Sequence, residues 1–551
     1  LVLPGTGFLR WASKLSTLNL QSSNLQTLPN DILKWSPRLE YVGLYRNHLK
    51  VVNVSSCGTS EHVTLSYNQI EHINADDFYF ACHGGYLNLQ GNPILSVDPD
   101  VVASLHVRTL FVGDYPVTFE SFRDLFSGIS HSEIKEILII NASIGAFPDN
   151  FFDPLRDWPI HLLEFSYMYN KVNDLYPFVF SNLTRVYELS FGNDYISRIE
   201  PDYFEGMQDL RVLRVEYCQL KDINTGSHTW TVDLVELHLA GNSLTEITPY
   251  TFLGLRNLTF LDLYFNELLV TFTLNSLSGL DKLQAINISE CYVFRWQLGV
   301  PALKWLSMNN VYPPRNPLEP GESFKETRSL VSLDLIDSVL HVSNLWDATV
   351  NISIFDSLLN LTTLDLSENY DLGKGFPPFI FRQLSALQEL SIEYCSIEHL
   401  HHLTFLGLVS LQKLNLRGNN IYQLHQDLLQ GLVQVRSMNL QGNFLSYLDE
   451  AVFSSNAKLT NLSLANNKFT SFNQSTFQPI KLSLSSIDLS NNPINCNCDL
   501  KWLLDWLSGP IQLLNEDETI CSLASLDSVG EKPLLDFDPN ELCGLNIVLI
   551  C

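Results

Sequence analysis

Ten cysteines are the residues of this sequence with the most obvious chemistry. Cys496, Cys498, Cys521 and Cys543 lie near the C-terminus, and the first two form a Cys-x-Cys pair that precedes DLKWLLDWL. Four thiols can hold a zinc ion or form two disulfides, and the sequence alone allows three disulfide connectivities. The zinc alternative is weak, because the fourth cysteine is remote and the next feature indicates an oxidising compartment.

That feature is a set of nine Asn-x-Ser/Thr sequons, which predict N-glycosylation on a secreted chain. The predicted acceptors are Asn53, Asn141, Asn182, Asn257, Asn287, Asn351, Asn360, Asn461 and Asn473. Glycans block the surface around them, so these positions also indicate where a partner cannot bind closely.

Catalytic or cofactor chemistry is not indicated by any other motif. The segment Glu398-His399-Leu400-His401-His402 could suggest a metal site, but no matching ligand set is evident and a solvated turn is the better interpretation. No nucleophile motif and no Gly-rich phosphate loop occur. We therefore expect no enzyme, no cofactor and no metal, and we expect a function in binding.

The element that must position these residues is an internal repeat. The template Leu-x-x-Leu-x-Leu-x-x-Asn-x-Leu recurs in about 20 copies, most of them 24 to 26 residues apart, and one clear copy starts at Leu234. Each copy predicts a short parallel strand at x-Leu-x-Leu and a looser return segment. Stacked copies share one core. The predicted fold is an α/β leucine-rich repeat solenoid, a horseshoe with a concave parallel β-sheet and a C-terminal cap.

A phenylalanine tests this repeat register independently, because it recurs eighteen residues after the first template position. We expect these rings to fill the convex side of the solenoid. They are Phe78, Phe152, Phe178, Phe204, Phe252, Phe405, Phe453 and Phe477.

The ninth template position is usually Asn, whose amide can bond the backbone of adjacent turns. Cysteine replaces it at Cys218, Cys291 and Cys395, and we expect these to be buried thiols. Cys57 and Cys82 lie at nearly equivalent places in adjacent repeats and are a plausible disulfide. Cys551 has no evident partner.

Composition limits the function further. The 551 residues carry 33 Lys plus Arg against 60 Asp plus Glu, a net charge of −27, so a wholly electrostatic grip on nucleic acid is not expected. The 45% hydrophobic fraction excludes a disordered chain. No stretch has the roughly 20 apolar residues of a transmembrane helix, and the closest is the terminal LNIVLIC.

The middle of the array is irregular, because five successive copies have Tyr115, Ala142, Met168, Asp194 and Cys218 in place of the template asparagine. Together, the repeats, the phenylalanines, this irregular middle and the ending NCNCDLKWLLDWL…PLLDFDPNELC resemble the ectodomain of a Toll-like receptor. The resemblance covers essentially the whole chain and implies a repeat solenoid over 1–490 and a cap over 491–551. It implies the disulfides Cys496–Cys521 and Cys498–Cys543. The family's cysteine-bearing N-terminal cap is missing or atypical here, and the long insertion of some members is absent.

The resemblance also implies the function. We expect the extracellular ligand-binding domain of an innate immune receptor, which dimerises through this ectodomain when a microbial or endogenous ligand binds. A membrane segment would follow Cys551, placing the chain on the outer side of the cell membrane, or the chain would be secreted if truncated. The alternatives are a non-signalling decoy or accessory protein, or an adhesion or matrix repeat protein.

Candidate ligand contacts are large or charged residues on the predicted central strands, because aromatic and Arg clusters are typical of binding hot spots. Glu236, His238 and Asp262 lie on the same strands. The candidates are Arg214, Phe260, Tyr264, Phe265, Arg295, Trp296 and Trp305.

Overall fold

The fold was examined in a computed structural model of the chain. It describes residues 11–29, 33, 36–54, 62–80, 83–115, 118–166, 175–223, 230, 232–269, 271–272, 276–292, 299–311, 318–522 and 532–537. The chain forms two compact units. Unit 1 is Leu1–Leu269 with Ser278–Leu283, and unit 2 is Val270–Leu277 with Gln284–Cys551.

Unit 1 is built on a parallel sheet with one strand from each predicted repeat. Leu163, Leu189, Leu213, Leu237 and Leu261 stand opposite one another on successive strands, and all are fully buried. The strands are β1 Thr17–Asn19, β2 Tyr41–Gly43, β3 His62–Thr64, β4 His83–Asn88, β5 His106–Gly113, β6 Glu136–Ile140, β7 Ile160–Ser166, β8 Val186–Gly192, β9 Val212–Glu216, β10 Glu236–His238 and β11 Phe260–Asp262.

Unit 2 repeats this arrangement. Its leucines are again in register, for example Leu364 between Leu333 and Leu390. The strands are β12 Ala285–Asn287, β13 Trp305–Ser307, β14 Ser332–Asp334, β15 Thr363–Asp365, β16 Glu389–Ser391, β17 Lys413–Asn415, β18 Ser437–Asn439, β19 Asn461–Ser463, β20 Ser486–Asp488 and β21 Gln512–Leu514. In both units the predicted leucine-rich repeat solenoid is confirmed.

The return segments contain short strands, helices and turns. The helices are α1 Pro99–Ala103, α2 Phe119–Ile129, α3 Val342–Leu345, α4 Gln474–Phe477 and α5 Lys501–Leu507. The short strands are Val52–Val54, His72–Ile73, Phe78–Phe80, Ser96–Val97, Arg198–Ile199, Asp222–Ile223, Glu246–Ile247, Thr271–Phe272, Trp346–Asp347, Ile352–Ser353, Ile494–Asn495, Ile520–Ser522 and Lys532–Pro533. Among the described helices none is long and apolar enough to cross a membrane.

Buried asparagine amides link neighbouring turns. The Asn419 amide nitrogen donates to Ile392 O at 2.7 Å and Leu416 O at 3.0 Å, and its oxygen accepts from the backbone N–H groups of Cys395 and Ile397. Because every buried backbone group needs a partner, this side chain serves the turn before it as well as its own.

Cysteine at the same template position can still donate a hydrogen bond but has no oxygen to accept one. The Cys395 thiol donates to Leu366 O at 3.1 Å and to Glu393 O at 3.3 Å. The Cys218 thiol contacts Phe191 O and Glu216 O in the same way. The predicted buried thiols are therefore found, and they retain the donor function of asparagine.

The prediction that Phe178 is one of the buried rings is wrong. Its side chain is 53% exposed, and its backbone has φ 64°, whereas Phe180 is fully buried. The Phe180 ring packs 5.8 Å from Phe204 and 5.5 Å from Phe152, measured between ring centroids. The reason is that this return segment is two residues longer before its buried ring, so a fixed offset of eighteen fails here. The other predicted rings are buried.

The C-terminal cap follows the prediction and adds a strand to it. Cys496 and Cys521 form a disulfide, with their Cα atoms 5.5 Å apart. Cys498 is also disulfide-bonded, and its predicted partner Cys543 lies outside the described residues. Helix α5 places Trp506 against Phe477 at 5.9 Å. Beyond it, β21 pairs with β20 and extends the sheet into the cap.

Two other cysteine predictions cannot be compared with the fold. Cys57 and Cys82, the predicted disulfide between adjacent repeats, lie outside the described residues, as does Cys551.

Candidate ligand-binding face

The strand face of unit 1 is the outward side of β8–β11, where side chains alternate with the buried leucines. Parallel register places Arg214, His238 and Asp262 in one row across β9, β10 and β11. Glu236 and Phe260 form a second row. The sequence-predicted Arg214 and Phe260 are therefore brought onto one surface.

Arg214 is held in place by carboxylates. Its Nε donates to Glu188 Oε1 at 2.7 Å, and its Nη1 lies 3.9 Å from Glu216 Oε1. The side chains of Arg214 and Glu188 are 31% and 19% exposed, so this pair is only partly screened by water. The Arg214 guanidinium is therefore held in one orientation on the strand face.

The aromatic candidates lie beside this row. The Phe260 ring is 5.0 Å from the His238 ring. The Tyr264 and Phe265 rings are 6.0 Å apart in the turn that follows β11, and Phe265 is 36% exposed with φ 55°. Both turn residues are thus available at the edge of the strand face.

Trp305 belongs to unit 2. It begins β13 and is 47% exposed, and the Lys304 ammonium lies 5.8 Å from its ring centroid. The predicted contacts Arg295 and Trp296 lie outside the described residues.

The strand face is acidic. Burial raises the pKa of the Glu216 carboxyl, and the nearby carboxylates of Asp262 and Glu164 raise it further, while His238 and Arg214 act in the opposite direction. Proton binding to Glu216 is thus easier than for an exposed glutamate.

A basic cavity that was not predicted from the sequence lies at the N-terminal ends of strands β6–β9. It holds about 380 Å³ and lies within unit 1. Its lining residues include three cations, Lys135, Arg185 and Arg211, the rings of His161 and Tyr187, and one carboxylate, Asp209, which lies 4.0 Å from Arg185 Nε. The His161 and Tyr187 rings stack at 5.1 Å with an interplanar angle of 15°. Burial lowers the pKa of the Lys135 ammonium, and Arg185 adds to the effect.

A sequence signal for this basic cavity did exist. Lys135, His161, Tyr187 and Arg211 all occupy the second template position of successive repeats. Residues at one template position must become neighbours in a solenoid, so a basic and aromatic column in the repeats predicts such a cavity.

The histidine-rich turn in unit 2 is exposed, as predicted from the sequence, and a histidine of the next repeat lies beside it. The His402 ring lies 4.3 Å from His401 and 5.1 Å from His425 of the next repeat. Burial and the two neighbouring rings lower the pKa of His401.

Several sequons can be placed on the fold. Asn287 and Asn461 lie within strands β12 and β19 and face outward, so glycans there would cover the sheet of unit 2. The strands β8–β11 of unit 1 contain no sequon asparagine. The strand face of unit 1 is therefore the better candidate for ligand contact.

Sequence comparison finds the leucine rich repeat family pattern at residues 233–293, 385–445 and 433–494. Toll-like receptor 3 from Boselaphus tragocamelus is 24% identical over 46% of this chain and 27% of its own length. Lumican from Gallus gallus is 30% identical over 37% of this chain and 58% of its own length. The chain thus spans from about a quarter to just over half of these relatives.

Comparison with solved structures covers nearly the whole chain. The TLR13–ssRNA13 complex aligns with a TM-score of 0.68 at 19% identity, over 96% of this chain and 85% of that one. The mouse RP105/MD-1 complex aligns with a TM-score of 0.64 at 20% identity, over 98% of this chain and 83% of that one. At these identities the likeness establishes the fold.

Proposed function

This chain is a leucine-rich repeat protein with the fold of Toll-like receptor ectodomains, and from that premise we propose that it is the ligand-binding ectodomain of an innate immune receptor. Its ligand is a microbial or endogenous molecule, and binding is coupled to dimerisation of the ectodomain. It is a binding protein and has no catalytic role. The proposed organisation is a repeat solenoid over 1–490 with a cap over 491–551.

The observation that carries this proposal is the alignment of nearly the full chain with ectodomain complexes. The aligned structures contain a single-stranded RNA in one case and the protein MD-1 in another. A third, with a TM-score of 0.57 at 15% identity, is the Toll–Spatzle complex. The same solenoid therefore presents very different ligands, so the ligand must be selected by surface residues.

We place the ligand contact in unit 1, on the strand face and in the basic cavity. The strand face supplies Arg214 in a fixed orientation with Phe260 beside it. The cavity supplies Lys135, Arg185 and Arg211, which favour an acidic group on the ligand. In a chain of net charge −27, this local excess of cations is a specific feature.

Dimerisation is tested by sedimentation of the secreted chain with four separate probes: a bacterial lipopeptide, a lipopolysaccharide, a bacterial surface protein and a single-stranded RNA. We expect one probe to convert monomer into dimer, because ligand bound preferentially to the dimer shifts the equilibrium. A one-to-one complex without a dimer would favour the accessory or adhesion alternative.

The contact region is tested with the double variant K135A/R185A in the basic cavity. We expect it to weaken binding of the active probe about tenfold or more, which corresponds to about 1.4 kcal/mol. The matched control is K282A, which removes an exposed lysine bonded to Asn257 outside this region. Equal affinities for both variants would place the contact elsewhere.

Signalling itself is tested by sequencing the transcript beyond Cys551. An apolar helix of about 20 residues followed by a globular cytoplasmic domain would support a signalling receptor at the cell surface. A stop codon or a short tail would favour a decoy, an accessory protein or an adhesion protein, as the resemblance to lumican also permits.

A further inference from the structure

Three potential metal ligands converge on the strand face of unit 1. Glu216 ends β9, His238 ends β10 and Asp262 ends β11, and all three point outward. One ligand atom from each residue lies within 4.8 Å of the others. We name this group the Glu216–His238–Asp262 cluster.

The His238 ring is the most informative member of the cluster. Its side chain is only 10% exposed, and Nε2 lies 3.2 Å from Glu236 Oε2. Nδ1 lies 3.8 Å from Glu216 Oε1, which is too long for a hydrogen bond. Across the described part of the chain, Nδ1 has no hydrogen-bond partner.

This geometry creates an electrostatic requirement. When Nε2–H donates to Glu236, the Nδ1 lone pair faces the oxygens of Glu216. A lone pair and a carboxylate repel each other unless a positive charge lies between them. A cation bound between Nδ1 and Glu216 would remove this repulsion and hold the two side chains together.

Arg214 does not supply that charge fully. Its Nε is committed to Glu188 at 2.7 Å, while its distance to Glu216 is 3.9 Å. The carboxylates of Glu188, Glu216, Glu236 and Asp262 therefore outnumber the one guanidinium beside them. This excess of negative charge favours a bound divalent cation.

We propose that the Glu216–His238–Asp262 cluster binds one divalent transition-metal ion, with zinc as the first candidate. Two carboxylates and one imidazole are a donor set that zinc accepts, with a fourth position left open. Glu236 has the position of the carboxylate that orients a metal-binding histidine through its other ring nitrogen.

The cluster must close slightly to bind the ion. Zinc–ligand distances of about 2.0–2.1 Å give about 3.3 Å between tetrahedral ligand atoms. Ligand atoms that lie within 4.8 Å of one another must therefore approach by at most about 1.5 Å, which rotation of the partly exposed Glu216 side chain can provide. The backbone positions are fixed by the parallel register and need not move.

Sequence analysis predicts no metal here because the three residues are far apart along the chain. Their template positions nevertheless place His238 and Asp262 at one offset and Glu216 two residues further along its strand. The inference does not depend on the proposed receptor function, since metal binding is measured on the chain alone.

The test is zinc titration of the full chain after removal of metal with EDTA, using a chromophoric chelator as competitor. We expect one tightly bound zinc per chain. The variants E216Q, H238Q and D262N should bind at least 100-fold more weakly. E236Q should bind 10- to 100-fold more weakly, because it only orients His238. Cobalt should give a visible absorption spectrum that E216Q loses.

The matched control is H402Q, which alters an exposed histidine of the His401–His402–His425 group. Zinc affinity should be unchanged in this variant. Circular dichroism of each metal-free variant confirms folding, and the isosteric E216Q and D262N carry the test if H238Q does not fold.

Two results would overturn the proposal. The first is a wild-type chain that binds no zinc at micromolar concentration. The second is zinc binding that H402Q abolishes while E216Q and D262N leave it unchanged. Either result would leave Glu216, His238 and Asp262 without a metal-binding role, and neither would affect the dimerisation test.

Discussion

The substitution N419A removes one of the buried amides that join neighbouring turns. Asn419 is 2% exposed and makes four strong hydrogen bonds. Two backbone N–H groups, of Cys395 and Ile397, lose their acceptor. Ile392 O loses the amide donor, whereas Leu416 O keeps the amide of Asn443 at 2.9 Å.

The cost follows from these three affected groups. A buried polar group without a partner costs about 1–3 kcal/mol, so with three such groups N419A should destabilise this region by about 3–9 kcal/mol. Because solenoid stability is a sum of local and nearest-neighbour contributions, the loss should be concentrated in the adjacent turns.

The control is N419C, which copies the natural residue at Cys395. A thiol has one S–H, so N419C should keep a donor for Ile392 O, as Cys395 does for Leu366 O, and should lose the accepting oxygen. We therefore expect N419C to be more stable than N419A by roughly 1–2 kcal/mol.

Hydrogen exchange measured by mass spectrometry on peptides that contain Cys395 and Ile397 is the direct assay, with urea unfolding as the global measurement. Exchange in these peptides should accelerate strongly in N419A and less in N419C. Unchanged exchange, with a stability loss below about 0.5 kcal/mol, would refute a structural role for the amide.

Three further predictions concern packing, thiol reactivity and pH. F180A should lower the free energy of unfolding by about 3–5 kcal/mol, because it removes a buried ring. F178A should lower it by less than about 0.5 kcal/mol, because that ring is exposed. Urea titration measures both losses, and equal losses would contradict the assigned burial. Burial raises the pKa of the Cys395 thiol to about 12, so iodoacetamide at pH 8 should modify it only in urea, and rapid native labelling would refute this. Burial and the adjacent Asp365 raise the pKa of the Asp334 carboxyl in the folded state. The folded state therefore holds this proton more tightly than the unfolded state, so the contribution of Asp334 to stability falls as pH rises. D334N should therefore stabilise the chain at pH 7, and its advantage should vanish near pH 3 in thermal unfolding; a constant advantage would exclude this cause.

The strands were predictable because burial of leucine at a period of two fixes both their position and their register. The return segments were less predictable, as Phe178 and Phe180 illustrate, since their length varies while the strand spacing does not. The added strand β21 keeps one inward template leucine, Leu513 opposite Ile487, but Asn515 stands where the next template leucine would be, so its pairing follows from the cap's position at the end of the sheet.

The outward position of candidate contact residues was predictable from the repeat, but their arrangement was not. Arg214 and Phe260 were identified as outward residues, yet the ion pair with Glu188 depends on side-chain reach across β8 and β9. The basic cavity and the Glu216–His238–Asp262 cluster require neighbouring repeats to be compared position by position. Single-repeat reasoning considers each copy alone and therefore overlooks both.

The asparagine amides also have a consequence for synthesis on the ribosome. Asn419 completes the hydrogen bonds of the turn that precedes it, at Cys395 and Ile397. A newly made repeat therefore remains incomplete until its successor emerges, which takes about 1–5 s at translation rates of about 5–20 residues per second. Co-translational folding of the repeats should therefore lag translation by one repeat.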